Sequence, residues 1–116
     1  MKQYGVMVIG CGHIGRQHLA EIYYRKNIKI IAVTDTQIEK AKEASIRYGA
    51  LKYGTDYHEF INDKRIDIVI IATYASSHLH ILKECLSANK HVLCEKPIAT
   101  TFEDGKAFYE AVKASD

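Results

Sequence analysis

The chain has 116 residues, enough for one domain with a real core and fewer than most complete nucleotide-dependent enzymes carry. Its 16 Lys and Arg stand against 14 Asp and Glu, a formal charge of +2, and the basic residues are scattered, which argues against nucleic acid or an anionic membrane as partner. No apolar run approaches the ~18 residues of a membrane span, and Met1-Lys2-Gln3-Tyr4-Gly5 leads into no cleavage-site pattern, so a cytoplasmic protein is expected. Cys11, Cys85 and Cys94 show neither C-x-x-C spacing nor an even count, so they are expected reduced and buried rather than in a zinc site or disulfide framework. His78 and His80, two apart, fall on different faces of a helix, and no metal site is indicated.

In chain order the first element is the apolar run Val6-Met7-Val8-Ile9, a strand. It ends in Gly10-Cys11-Gly12-His13-Ile14-Gly15, from which a helix runs from His13 to about Arg25 with Ile14, Leu19, Ile22 and Tyr23 at helical spacing. A second strand, Ile28–Thr34, leads to Asp35. The spacing then predicts a helix from Thr36 through Tyr48 that stops at Gly49, and a short strand Leu51-Lys52-Tyr53. Thr55 is the expected N-cap of a short helix over Asp56–Ile61. Ile66–Ala72 is the most apolar run and reads as a strand covered on both faces, followed by a helix over roughly Ser77–Ala88 and a strand His91–Cys94. A final helix starts near Thr101, capped by Thr100 or Thr101. Alternation of strand and helix at this spacing requires right-handed crossovers and an α/β, doubly wound parallel sheet, most simply in the order 3-2-1-4-5 with the ligand crevice between strands 1 and 4.

The glycine run carries the chemistry. Gly10 turns the chain sharply out of the strand, Gly12 removes the Cβ that would block a pyrophosphate, Gly15 lets helix and strand pack closely, and the helix aims its free N–H groups at the phosphates. Asp35, twenty positions beyond Gly15 at the end of the second strand, suits the ribose hydroxyls of a dinucleotide. Its carboxylate would repel a 2′-phosphate, and its neighbours Thr36 and Gln37 are neutral, so NAD is expected in preference to NADP. Cys11 admits a redox reading, but a small side chain between two glycines is the simpler account. Lys96, in Cys94-Glu95-Lys96-Pro97, follows the fifth strand at the sheet edge where ligands bind, and an ammonium there can stabilise a developing alkoxide and supply a proton.

These runs, with Ala72-Thr73-Tyr74-Ala75-Ser76-Ser77-His78 and Lys90-His91-Val92-Leu93-Cys94-Glu95-Lys96-Pro97, resemble the glucose-fructose oxidoreductase, inositol dehydrogenase and MocA family over nearly the whole chain. The resemblance implies a Rossmann cofactor domain over residues 1–116, belonging to an oxidoreductase that moves hydride between a nicotinamide cofactor and a sugar, cyclitol or related compound. It implies Lys96 as the proton-handling residue beside the nicotinamide, and Glu95 near a cofactor ribose. It also implies a cleft lined by the loop from Thr73 through Tyr74 to His78. Glu95 could instead pair with Lys96 on the surface, and His78 could simply cap or pack beside the cleft. Tyr74 stands where that family often has proline, so the loop after the fourth strand is expected to take a different path. The family's usual C-terminal substrate domain and the sixth strand are not in these residues, which reads as a truncated domain that binds cofactor without turnover and forms a homo-oligomer. A non-catalytic NAD(H)-binding sensor or scaffold is the alternative. A methyltransferase fits less well, because it would leave Lys96 without a purpose.

Overall fold

The structure is a computed structural model and describes residues 3–73, 75–94 and 102–114. The elements are β1 (Tyr4–Ile9), α1 (His13–Ile22), β2 (Ile28–Thr34), α2 (Ile38–Tyr48), β3 (Lys52–Gly54), a 3-10 turn Tyr57–Glu59, β4 (Ile68–Ile71), α3 (Ala75–Ser87), β5 (His91–Cys94) and α4 (Phe102–Ala114). All strand pairs are parallel and the sheet order is β3-β2-β1-β4-β5, as the alternation predicts. β1 lies between β2 and β4, so the chain leaves it toward one edge and later returns on its other side. That reversal opens a crevice beyond the strands' carboxyl ends. No helix among the described residues is long and apolar enough to cross a membrane.

Both faces of the sheet are covered, which is why its inner strands read as unbroken apolar runs. Val6, Val8, Ile30, Val33 and Ile70 pack with Leu19 of α1 and Ala44 of α2. Met7, Ile9, Ile31, Ala32, Val69 and Ile71 form the other core with Phe60, Ile61 and the α3 residues Ile81, Leu82 and Cys85. Ile31 and Ala32 are consecutive yet share that core. The register accounts for it: Val6 pairs with Ile30 but Met7 with Ala32, so Ile31 is the extra residue of a bulge. At the sheet edge β5 alternates instead, with His91 and Leu93 exposed and Val92 and Cys94 half-buried. Cys94 is therefore not buried, whereas Cys11 and Cys85 are, and none of the three forms a disulfide among the described residues.

Several element ends differ from expectation for local reasons. α1 stops at Ile22, with the Arg25 guanidinium Nε donating to the Glu21 carbonyl at 2.8 Å. α2 starts at Ile38 because the Gln37 N–H donates to the Asp35 carboxylate at 2.8 Å, holding the preceding residues in a turn. Its other end stops as predicted, at Gly49 with φ +75°. Asp56, not Thr55, caps the segment after β3, accepting from the His58 N–H at 2.9 Å, and only Tyr57–Glu59 is helical there. β4 is shorter than its apolar run, beginning at Ile68, although Ile66 is buried. α3 begins at Ala75, two residues early. The expected caps Thr100 and Thr101 lie outside the described residues.

The 3-10 turn is clamped to α3 by charge. The His58 ring bonds Asp56 through Nδ1 at 2.6 Å and Glu84 through Nε2, while Glu84 also accepts from the Tyr57 hydroxyl and pairs with His80 at 2.8 Å. The Asp56 and Glu84 carboxylates hold the His58 imidazole above its ordinary value of 6.5. Burial pushes the Glu84 carboxyl up, but the Tyr57 hydroxyl and the His58 ring outweigh it and hold it below its usual range. The His58 contribution is therefore complete below its unfolded pKa and is lost as pH rises through its folded one. The Glu84 contribution is present above the unfolded carboxylate pKa and is lost as pH falls. Urea unfolding of wild type and His58→Gln across pH 5 to 9 should show their midpoints converging toward the alkaline end; a constant gap would mean that His58 titration does not support the clamp.

Candidate dinucleotide site

The carboxyl ends of β1, β2 and β4 bring together the glycine turn, Asp35 and Thr73. At Gly10 the chain leaves β1 with φ +100°, a conformation that favours glycine. A Cβ there would also run into the Ala72 carbonyl at the end of β4. At Gly15 a Cβ would overlap the Gly10 carbonyl oxygen, so α1 presses directly on the turn that precedes it. Gly12 differs, because a Cβ built there would meet nothing within 4 Å. The fold itself leaves that position open.

α1 begins with Gly12 at its N-cap, with no side-chain cap and no acidic residue in its first turn. Helix geometry leaves the N–H groups of Gly12, His13, Ile14 and Gly15 without intrahelical partners, at the positive end of the helix dipole. His13 and Ile14 are exposed there. An uncapped helix start beside an open glycine suits a pyrophosphate, so the residues fit a dinucleotide cofactor.

Asp35 closes the other side. Its Oδ2 accepts from the Cys11 N–H and its Oδ1 from the Gln37 N–H, each at 2.8 Å. Cys11 itself is buried, and its thiol donates to the Thr34 carbonyl at 3.4 Å. Burial, and then the charge of Asp35, push that thiol up to about 12, so it stays protonated and serves as a small core side chain.

Thr73 follows β4 next to the glycine turn, since a Gly10 Cβ would lie 3.2 Å from its nitrogen. Its hydroxyl meets that of Ser77 at 2.6 Å, and its carbonyl accepts from His78 Nε2 at 2.8 Å. His78 is only 1% exposed, so it sits in the core and touches the cleft through Thr73. Tyr74, Glu95 and Lys96 lie outside the described residues. Sequence reading passed over Ser77 as a partner for Thr73, and over Lys90, whose ammonium donates to the Asp63 and Ile66 carbonyls at 2.8 and 2.7 Å and ties the approach of β4 to the start of β5. A groove of about 590 Å³ lies elsewhere, between the segment after β3 and α3, and includes neither the glycine turn nor Asp35.

This combination defines a dinucleotide-binding domain of the doubly wound α/β class. Residues 4–116 match the oxidoreductase family described as NAD-binding Rossmann fold, and the chain belongs to that family. It is 36% identical over 106 residues to the inositol 2-dehydrogenase of Salmonella typhimurium, an alignment covering 90% of this chain and 32% of that protein. Among solved structures it is similar to levoglucosan dehydrogenase in complex with NADH and L-sorbose, at 34% identity and TM-score 0.85, covering 97% of this chain and 32% of that one. The scyllo-inositol dehydrogenase of Lactobacillus casei with bound NAD(H) and scyllo-inositol shares the fold, with a TM-score of 0.90 at 24% identity over 98% of this chain and 34% of that one. The chain thus spans about a third of the length of the curated relatives it matches.

The second and third glycines of the run, Gly12 and Gly15, should separate under substitution. Gly12→Val should leave the circular dichroism spectrum and melting temperature near wild type while abolishing NAD binding, because its side chain enters ligand space. Gly15→Val should instead destabilise by about 3 kcal/mol or more, because backbone occupies the position of the new Cβ. Loss of fold in the Gly12 variant would contradict this division.

Proposed function

We propose that this chain is the cofactor-binding part of an NAD-dependent dehydrogenase or reductase acting on a sugar, cyclitol or related hydroxyl or carbonyl compound. The observation that carries the reading is the uncapped start of α1 at the open Gly12, with the Asp35 carboxylate one hydrogen bond from the same turn. The inositol and levoglucosan dehydrogenases to which the chain is similar support the substrate class.

The chain's residues divide the work. The N–H groups of Gly12, His13 and Ile14 hold the pyrophosphate, and the two lone pairs that Asp35 has not given to backbone amides accept from ribose hydroxyls. Thr73, held by Ser77 and His78, forms the opposite lip of the cleft, and Tyr74, which follows it in the sequence, would add a cofactor contact. NAD, when bound, supplies the hydride acceptor or donor. Lys96 follows the last residue of β5 by two positions, and β5 runs parallel to β4 and so ends at the same sheet edge as the cleft. Its ammonium would stabilise negative charge on the substrate oxygen and carry the proton that this oxygen loses or gains. Glu95 would bond a cofactor ribose.

The same reading has the protein working in the cytoplasm as a homo-oligomer, without nucleic acid or membrane.

Two measurements test this reading. Titration should show tighter binding of NAD than of NADP, because an Asp35 carboxylate repels a 2′-phosphate; equal or tighter NADP binding contradicts the assignment. In the enzyme that contains this chain, Lys96→Ala should lower kcat by about 10²- to 10⁴-fold with little change in cofactor Kd. Unchanged kcat with weakened NAD binding would make Lys96 a cofactor anchor instead.

A further inference from the structure

We infer that Asp35 is a positioning residue for the phosphate-binding turn before it is a partner for ribose: its carboxylate holds that turn in shape without cofactor, so the pyrophosphate grip common to NAD and NADP depends on it even though its charge disfavours a 2′-phosphate. The inference rests on the cofactor reading above for its binding arm, and on geometry alone for the rest.

Three segments meet at Asp35. Its Oδ2 accepts from the N–H of Cys11, between the first two glycines, and its Oδ1 from the N–H of Gln37, the N-cap of α2. Its own N–H donates to the Gly54 carbonyl at the end of β3 at 3.2 Å. On β2 just before it, the Thr34 carbonyl accepts from the Gly10 N–H at 2.7 Å and from the Cys11 thiol at 3.4 Å. The turn after β1 is thus fastened to the end of β2 through consecutive residues, and Asp35 supplies the one bond of that set made by a charged acceptor, a stronger type than bonds between neutral groups. A carboxylate offers acceptors on both oxygens, and here each oxygen receives one backbone amide with about one lone pair left over.

An amide side chain cannot replace it. In Asp35→Asn one oxygen becomes an NH₂ group, so either the Cys11 or the Gln37 N–H must face another donor. Removing the charge, the obvious way to admit a 2′-phosphate, therefore also loosens the turn that holds the pyrophosphate. Neutral substitution at Asp35 should produce a weaker binder of both cofactors rather than an NADP binder.

The test is amide hydrogen exchange by NMR on the cofactor-free protein, with melting temperatures and NAD and NADP titrations on the same samples, for wild type, Asp35→Asn and Asp35→Ala. The expected result is exchange at the Cys11 amide faster by on the order of tenfold or more in both variants, a lower melting temperature, and weaker binding of both NAD and NADP. Asp35→Asn keeps the side-chain shape and carries the test should Asp35→Ala fail to fold. Wild-type exchange at Cys11 with only NAD weakened, or NADP tightened, would overturn the inference and leave Asp35 a ribose partner alone. If wild type bound neither cofactor the functional reading would fall, while Cys11 exchange, measured without cofactor, would still decide whether Asp35 holds the turn.

Discussion

The contact on which the site depends is the approach of α1 to the turn it springs from. Gly15 lies so close to the Gly10 carbonyl that no side chain can stand between them, and Gly10 in turn lies against the end of β4. With both positions stripped to backbone, the first turn of α1 sits directly over the carboxyl edge of the sheet. Its free N–H groups and the positive end of its dipole then face the crevice rather than the core. A larger residue at either position would push the helix away and take the anion-binding end with it.

The sheet supplies the rigidity that makes this placement useful. β1 is covered on both faces and paired on both edges, so the strand that delivers the glycine turn cannot tilt without disturbing two cores. The bulge at Ile31 lies within β2, the strand that ends in Thr34 and Asp35. On the other side of the crevice, the buried His78 and the Ser77 hydroxyl secure Thr73 from beneath. The Thr73 side of the crevice is therefore fixed by polar groups drawn from inside the fold, while the space at Gly12 stays open.

The candidate binding residues and the candidate proton-handling lysine lie far apart in the sequence. The glycine turn and Asp35 belong to its first third, whereas Lys96 follows the edge strand β5. The chain spans about a third of the length of its curated relatives.

By itself the sequence determined the order of the strands, the two-sided burial of the inner ones and the glycine fingerprint with its acid. Each follows from short-range pattern: apolar runs of strand length, helical periodicity, and glycines spaced for a turn. Only the tertiary structure decided what those residues touch. Gly5 carried no signal, yet a Cβ there would overlap the Arg65 carbonyl. His78 read equally as a cleft residue or a packed one, and burial resolved it as the donor to the Thr73 carbonyl. Lys90 carried no signal of its own, yet it bonds two carbonyls more than 20 positions away. Asp35 stood out in the sequence as the acid that follows the second strand, while its bond to Cys11 did not, because that bond joins two strand ends 24 positions apart and exists only once β1 and β2 lie side by side.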